Sequence, residues 1–122
     1  MNESTDKSNV ENTFAGSASI QMRKGVLVYC VLLLCSDGKA YSSDIIKKLR
    51  SAELIVVEGT LYPLLSRLAK EQILGYEWQE SEQGPPRKYY WLTEKGEQSL
   101  KDLAAVYKNL QFSITKLEKG TL

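Results

Sequence analysis

The chain has 122 residues, enough for one domain with a modest core, and its 43% apolar and 25% charged content is ordinary for a soluble globular protein. It has no histidine, and its two cysteines, Cys30 and Cys35, lie five apart in one apolar run. Triad catalysis, zinc sites and disulfide frameworks therefore lose their usual residues, and neither an enzyme nor a cofactor is expected. Residues 1–19 carry Glu3, Asp6, Glu11 and Lys7, a net −2, so the formal charge of +1 leaves +3 on the rest.

In residues 1–19 only Val10 and Phe14 are large apolar groups, so a disordered polar tail is expected there. Acidic and polar residues fill it, which a signal peptide does not tolerate. The longest unbroken apolar run, residues 26–35, is about half the ~20 residues a membrane span needs. A cytoplasmic protein with no membrane partner is expected.

Residues 20–35, IQMRKGVLVYCVLLLC, are apolar nearly all round after Arg23 and Lys24. Periodicity does not separate a buried helix from a buried strand here; length favours a helix covered on most sides. The cysteines then read as small buried hydrophobes. Ser36-Asp37-Gly38-Lys39 supplies turn chemistry. A short helix follows, capped by Ser42 or Ser43, with Ile45, Ile46 and Leu49 inward and Asp44, Lys47, Lys48 and Arg50 outward. Lys47 and Lys48 read as a solvated face before they read as phosphate contacts.

The third element, residues 58–72, places Leu61, Leu64, Leu65 and Leu68 on one face. Tyr62, Pro63, Ser66, Arg67 and Lys70 project from the other. Pro63 is tolerated because the first helical turn has no intrahelical acceptors to lose. Tyr76-Glu77-Trp78-Gln79 then alternates as a half-buried strand should, and residues 87–92 form its return. Between them lies ESEQGPP, a stiff tip of Gly84, Pro85 and Pro86 followed by the cations Arg87 and Lys88.

The last segment opens on Thr93, a helix N-cap, and runs to about residue 119. Leu100, Leu103, Tyr107, Leu110, Ile114 and Leu117 are spaced 3, 4, 3, 4, 3, a heptad seam. Its final ~20 residues, ~30 Å of helix, outrun what three short helices and a hairpin can shield. A second copy of the helix is the simplest cover, giving a homodimer. The alternative is packing onto residues 20–35 of the same chain, and the two are compatible.

The order helix, helix, helix, hairpin, long helix gives a mainly α fold with a small β-hairpin. A winged helix-turn-helix spans residues 20–93, and a C-terminal dimerisation helix residues 94–122. In a winged helix the second helix of the pair enters the DNA major groove. Thr60, Tyr62, Pro63, Ser66 and Arg67 then face the groove, Arg67 reaching guanine or phosphate and Tyr62 and Pro63 offering apolar surface to a thymine methyl. At the wing, Gly84 permits close approach, the prolines limit entropy loss, and Arg87 and Lys88 meet phosphate or the minor groove. The expected partner is double-stranded operator DNA. The alternative is a protein-interaction module anchored by Tyr62, Pro63 and the wing aromatics, which the mild +3 favours.

EGTLYPLLSRLAKEQIL followed by GPPRKYYWLTEKG resembles the PadR family of bacterial transcriptional regulators, over about residues 21–96. The resemblance implies a winged-helix domain and a homodimer clasped by C-terminal helices, with the first helix contributing. It also implies repression by operator binding, relieved by a small-molecule effector or other signal. The recognition positions fall on Thr60, Tyr62, Pro63, Ser66 and Arg67, and the wing on residues 84–88. The family commonly starts its second helix with a Tyr-Gly-Tyr-like segment; this chain has Tyr41-Ser42-Ser43, and Tyr41 and Ser43 join the expected DNA-facing set. A single C-terminal helix is similar to the short subgroup, some members of which bind flat aromatic ligands between subunits. Tyr29 and Tyr107 either line such a space or pack in core and interface.

Overall fold

The computed structural model describes residues 13–54 and 56–120. Its helices are α1 (Phe14–Cys35), α2 (Ser42–Ser51), α3 (Glu58–Lys70) and α4 (Glu94–Lys119). Strands β1 (Ala40–Tyr41), β2 (Leu74–Gln79) and β3 (Arg87–Leu92) form an antiparallel sheet in the order β1-β3-β2. This is the mainly helical winged helix that the order of the sequence segments implies.

The first helix starts earlier than its composition suggests. Thr13 caps it, its side chain accepting the Gly16 N–H at 3.0 Å, and the Ser19 hydroxyl donates back to the Gly16 carbonyl. The expected disordered tail through residue 19 is therefore corrected over residues 14–19: a capped run of small residues sustains helix although its one large apolar group, Phe14, is exposed. Residues 1–12 of that tail lie outside the described residues. By length and composition alone α1 is apolar enough to cross a membrane, yet Leu27, Val31, Leu32 and Cys35 are buried in the protein's own core.

Around α1 the core gathers Ile45, Ile46 and Leu49 from α2, Leu61, Leu65 and Leu68 from α3, and Leu74 and Tyr90 from the sheet. The inward stripes read from the spacing hold, except that Leu64 is only partly buried. Ser42 and Ser43 do not cap α2; Tyr41 takes the cap position in extended backbone, with no side-chain cap bond, because it is already paired as β1. Helices α2 and α3 end alike, on a non-glycine residue in left-handed backbone, Glu53 and Gln72, each at φ 63°. The N–H groups of Leu54 and Ile73 reach back to the Leu49 and Leu68 carbonyls at 2.8 and 2.9 Å, which satisfies the frayed end of each helix.

Two glycines fix how the hairpin and α4 meet the core. A Cβ on Gly75 would lie 2.5 Å from the Trp91 ring, its cross-strand partner. On Gly96 a Cβ would lie 2.1 Å from the Ile73 carbonyl oxygen, so the first turn of α4 is pressed against the α3–β2 junction. Thr93 caps α4 as its position suggests, accepting the Gly96 N–H at 3.0 Å while its hydroxyl donates to the Gln72 carbonyl at 2.6 Å.

Along α4 the apolar seam divides. Leu100 and Leu103 pack partly buried against the core, and Tyr107 meets Tyr29 of α1 with ring centroids 5.5 Å apart. Further on, Leu110, Ile114 and Leu117 are 52%, 51% and 62% exposed. Self-packing on α1 thus takes the first half of the stripe, and the second half projects with nothing against it among the described residues.

Candidate nucleic-acid interface

Helix α3 buries Leu61, Leu65 and Leu68 and leaves Tyr62, Pro63, Ser66 and Arg67 exposed on the opposite face. At about 100° per residue these four fall in one outward sector. Among the described residues the Arg67 guanidinium makes one partner contact, with Glu71 at 3.4 Å and one turn on; both are well exposed, so the pair is easily traded for a phosphate or base. Burial, then the neighbouring Glu58 and Tyr90, push the Tyr62 phenol up, so it stays a neutral hydroxyl. Thr60 departs from this set: half-buried on the flank of α3, it lines a cavity against α1.

The wing carries Gly84, Pro85 and Pro86 exposed at its tip. Beyond the tip, β3 alternates, and the two cations part company. Arg87 lies on the outer face with its guanidinium 3.8 Å from the Tyr41 ring centroid, 3.4 Å from the Ser43 hydroxyl and 3.6 Å from the Asp44 carboxylate. Arg87 therefore joins Tyr41 and Ser43, more than forty residues earlier in the chain, in one cluster at the start of α2. The Tyr41 hydroxyl in turn donates to Gln79 of β2.

Lys88 lies on the inner face, its ammonium 4.2 Å from the Tyr76 ring, 5.4 Å from Tyr90 and 5.5 Å from Trp78. Three rings hold one cation by their negative faces. The same register pairs Tyr76 with Tyr90 and Trp78 with Lys88.

Sequence reasoning placed the wing aromatics incompletely. Tyr76 and Trp78 alternate as a half-buried strand would, but they are 49% and 60% exposed, because β2 runs out past the last core residue, Leu74. Tyr89 and Tyr90 are instead buried and Trp91 half-buried. The Tyr89 hydroxyl donates to Glu77, a bond that, with burial, pushes its pKa up, and Lys39 sits 4.7 Å over its ring. Pairing β2 with β3 in register would have identified Tyr76 and Trp78 as neighbours of Lys88.

Among the described residues no group of histidine, cysteine and carboxylate side chains is arranged to hold a metal ion. Burial pushes the Cys30 thiol up and carries Cys35 to about 11, with Lys48 opposing the latter, so neither is a ready nucleophile.

Residues 31–102 match the transcriptional regulator PadR-like family. Among solved structures, a PadR-like transcription factor from Bacteroides fragilis is 56% identical, with 83% of this chain and 98% of that one covered and a TM-score of 0.70. A PadR family regulator from Eggerthella lenta is 33% identical, covering 83% and 88%, with a TM-score of 0.77. Bacillus subtilis PadR in complex with operator DNA is 28% identical over 65% of this chain and 45% of that one, with a TM-score of 0.60. No curated protein matches. With well over half of its length matched, and with the three helices, sheet and long helix in place, this chain belongs to the PadR-like family, whose members are transcriptional regulators rather than enzymes.

Proposed function

We propose that the protein is a homodimeric, sequence-specific DNA-binding repressor, working in the cytoplasm on operator DNA. The observation that carries this is the shape of α3: its leucines are spent on the core while Tyr62, Pro63, Ser66 and Arg67 stand free on a groove-sized helix. Operator DNA in the Bacillus subtilis relative supports the same partner here. The wing, with Arg87 and Lys88 behind its Gly-Pro-Pro tip, supplies phosphate or minor-groove contacts. Tyr41 and Ser43 join Arg87 at the foot of the wing, while Thr60 acts from the flank of α3. Dimerisation uses the seam from Leu100 to Leu117, of which Leu110, Ile114 and Leu117 are the exposed part.

Selection from random duplexes at low salt tests the reading. It should enrich a pseudo-palindrome with half-sites about one helical turn (~34–36 Å) apart. Arg67→Ala should relax preference at one position per half-site and weaken binding by ~1–3 kcal/mol. Deleting the gene should raise transcription from promoters carrying the enriched site; a fall would mark an activator instead. If no duplex is enriched, the second reading takes over: Tyr62, Tyr76 and Trp78, exposed on α3 and the wing, anchor another protein.

A further inference from the structure

A cavity of about 200 Å³ lies between the middle of α1, the α2–α3 connection and the first turn of α3. Its wall is aliphatic: Ile20, Val26, Leu27, Leu54, Val56 and Val57, with the Cys30 thiol beside them. Among the described residues, no aromatic ring and no carboxylate lines it. Its polar residues are Thr60 and two exposed cations, Arg23 and Lys24, neither of which has an ion-pair partner among the described residues.

We infer that this cavity binds an aliphatic monocarboxylate, the alkyl chain lying among the leucine, isoleucine and valine side chains and the carboxylate meeting Arg23 and Lys24. Two observations select that ligand. The wall offers alkyl contacts and no ring to stack a flat aromatic molecule, and an alkyl chain gains roughly 25 cal/mol for each Å² it removes from water. Among the described residues the charges at the cavity are positive, so a fatty amine is repelled and an alkanol leaves the cations without an anion. The free end of α4 in a second copy, with Leu110, Ile114 and Leu117 exposed, is the competing occupant, and the dilution experiment below separates it from the ligand. The place is also distinct from the Tyr29–Tyr107 contact, which lies on the α4 side of α1.

The position makes the ligand an effector. Val57 is the N-cap of α3 and Thr60 stands in its first turn, so an alkyl chain wedged against α1 bears on the end of α3 from which groove-facing residues project. This regulatory half rests on the DNA-binding reading; occupancy of the cavity does not.

Calorimetry on the full chain, without DNA, decides occupancy. Sodium octanoate should bind once per chain, benzoate more weakly, and octylamine not at all. Replacing Arg23 and Lys24 together by glutamine should weaken octanoate roughly tenfold. Cys30, half-buried and slow because burial raises its thiol pKa, still reports the location: octanoate should slow its reaction with a disulfide reagent further, while the buried Cys35 is silent in either case. The inference is overturned if millimolar octanoate does not bind, if octylamine binds equally, or if saturating octanoate leaves the Cys30 rate unchanged. It is overturned as well if dilution to monomer, without ligand, unmasks Cys30, since the second copy then fills the cavity. With octanoate bound, operator affinity should change several-fold; an unchanged affinity removes the effector role and leaves the site. Failure to bind any DNA removes the reading of the previous section and leaves the calorimetric result standing.

Discussion

Gly96 and Gly75 separate two kinds of tight contact. At Gly96 the obstacle is a backbone carbonyl, Ile73 O, 2.1 Å from where a Cβ would stand, and neither side can give without moving α4 off the sheet. At Gly75 the obstacle is the Trp91 ring, which can tilt. Gly96→Ala should therefore cost on the order of 3 kcal/mol or more in urea unfolding, and Gly75→Ala distinctly less. Equal losses would mean that the sheet, not the α4 junction, is the rigid part. Arg87 and Lys88 form a second contrast. They are neighbours in sequence but occupy opposite faces of the hairpin, Arg87 against Tyr41 and Asp44, Lys88 within the rings of Tyr76, Tyr90 and Trp78. A cation that touches phosphate contributes about one to the slope of log affinity against log salt. Arg87→Ala and Lys88→Ala, measured singly, should show which face of the wing meets the backbone, and at least one slope should fall by about 1. If neither changes it, the wing does not touch phosphate.

The elements show how much was legible in advance and where legibility stopped. Helices α2 and α3 and the hairpin could be read because local spacing and burial agree: Ile45, Ile46 and Leu49, or Leu61, Leu65 and Leu68, repeat at helical intervals and all go inward. Strand β1 could not, since two residues carry no period and its existence depends on Tyr89 and Tyr90 arriving from far along the chain. The start of α1 was hidden by composition, because Thr13 and the small residues after it look like any polar tail. For the candidate site, the exposed sector of α3 followed from spacing, whereas the cluster of Arg87 with Tyr41, Ser43 and Asp44 needed the fold. A continuous heptad pattern gave no sign of the division in α4 either, since Leu103 and Leu110 look equivalent in sequence and only the position of α1 distinguishes them. That division chooses the mutations. Leu110→Glu with Ile114→Glu should yield a folded monomer by sedimentation, with near wild-type helicity and lost operator affinity. Leu103→Glu should lower stability as well, because Leu103 also packs on its own core. A double variant that stays dimeric would place the contact between copies elsewhere.

At the scale of the whole molecule, the titrating groups with shifted pKa lean one way. The Cys35 thiol moves from 9.0 to about 11, and Tyr62 and Tyr89 are also raised. Between pH 9 and 11 the unfolded chain has released the Cys35 proton and the folded chain still holds it, so stability falls as pH rises; below pH 9 the contribution is intact. The loss from Cys35 should reach roughly 2–3 kcal/mol by pH 11. Denaturant midpoints across that range check it, and Cys35→Ala should flatten the decline whatever it does to stability at neutral pH. With no histidine in the chain, no comparable swing from imidazole is expected between pH 6 and 8.

The contact of Tyr29 with Tyr107 has a mechanical meaning in the proposed dimer. Among the described residues it is the last point at which α4 is held by its own chain, and from Leu110 onward the rod is a free arm. In the proposed dimer, a partner gripping that arm would pull against this one aromatic contact with α1, so the contact would set how the two copies are aimed. Shaving the ring at Tyr107 to leucine should slacken the pivot, so that the dimer accepts operators of several spacings where the intact protein insists on one.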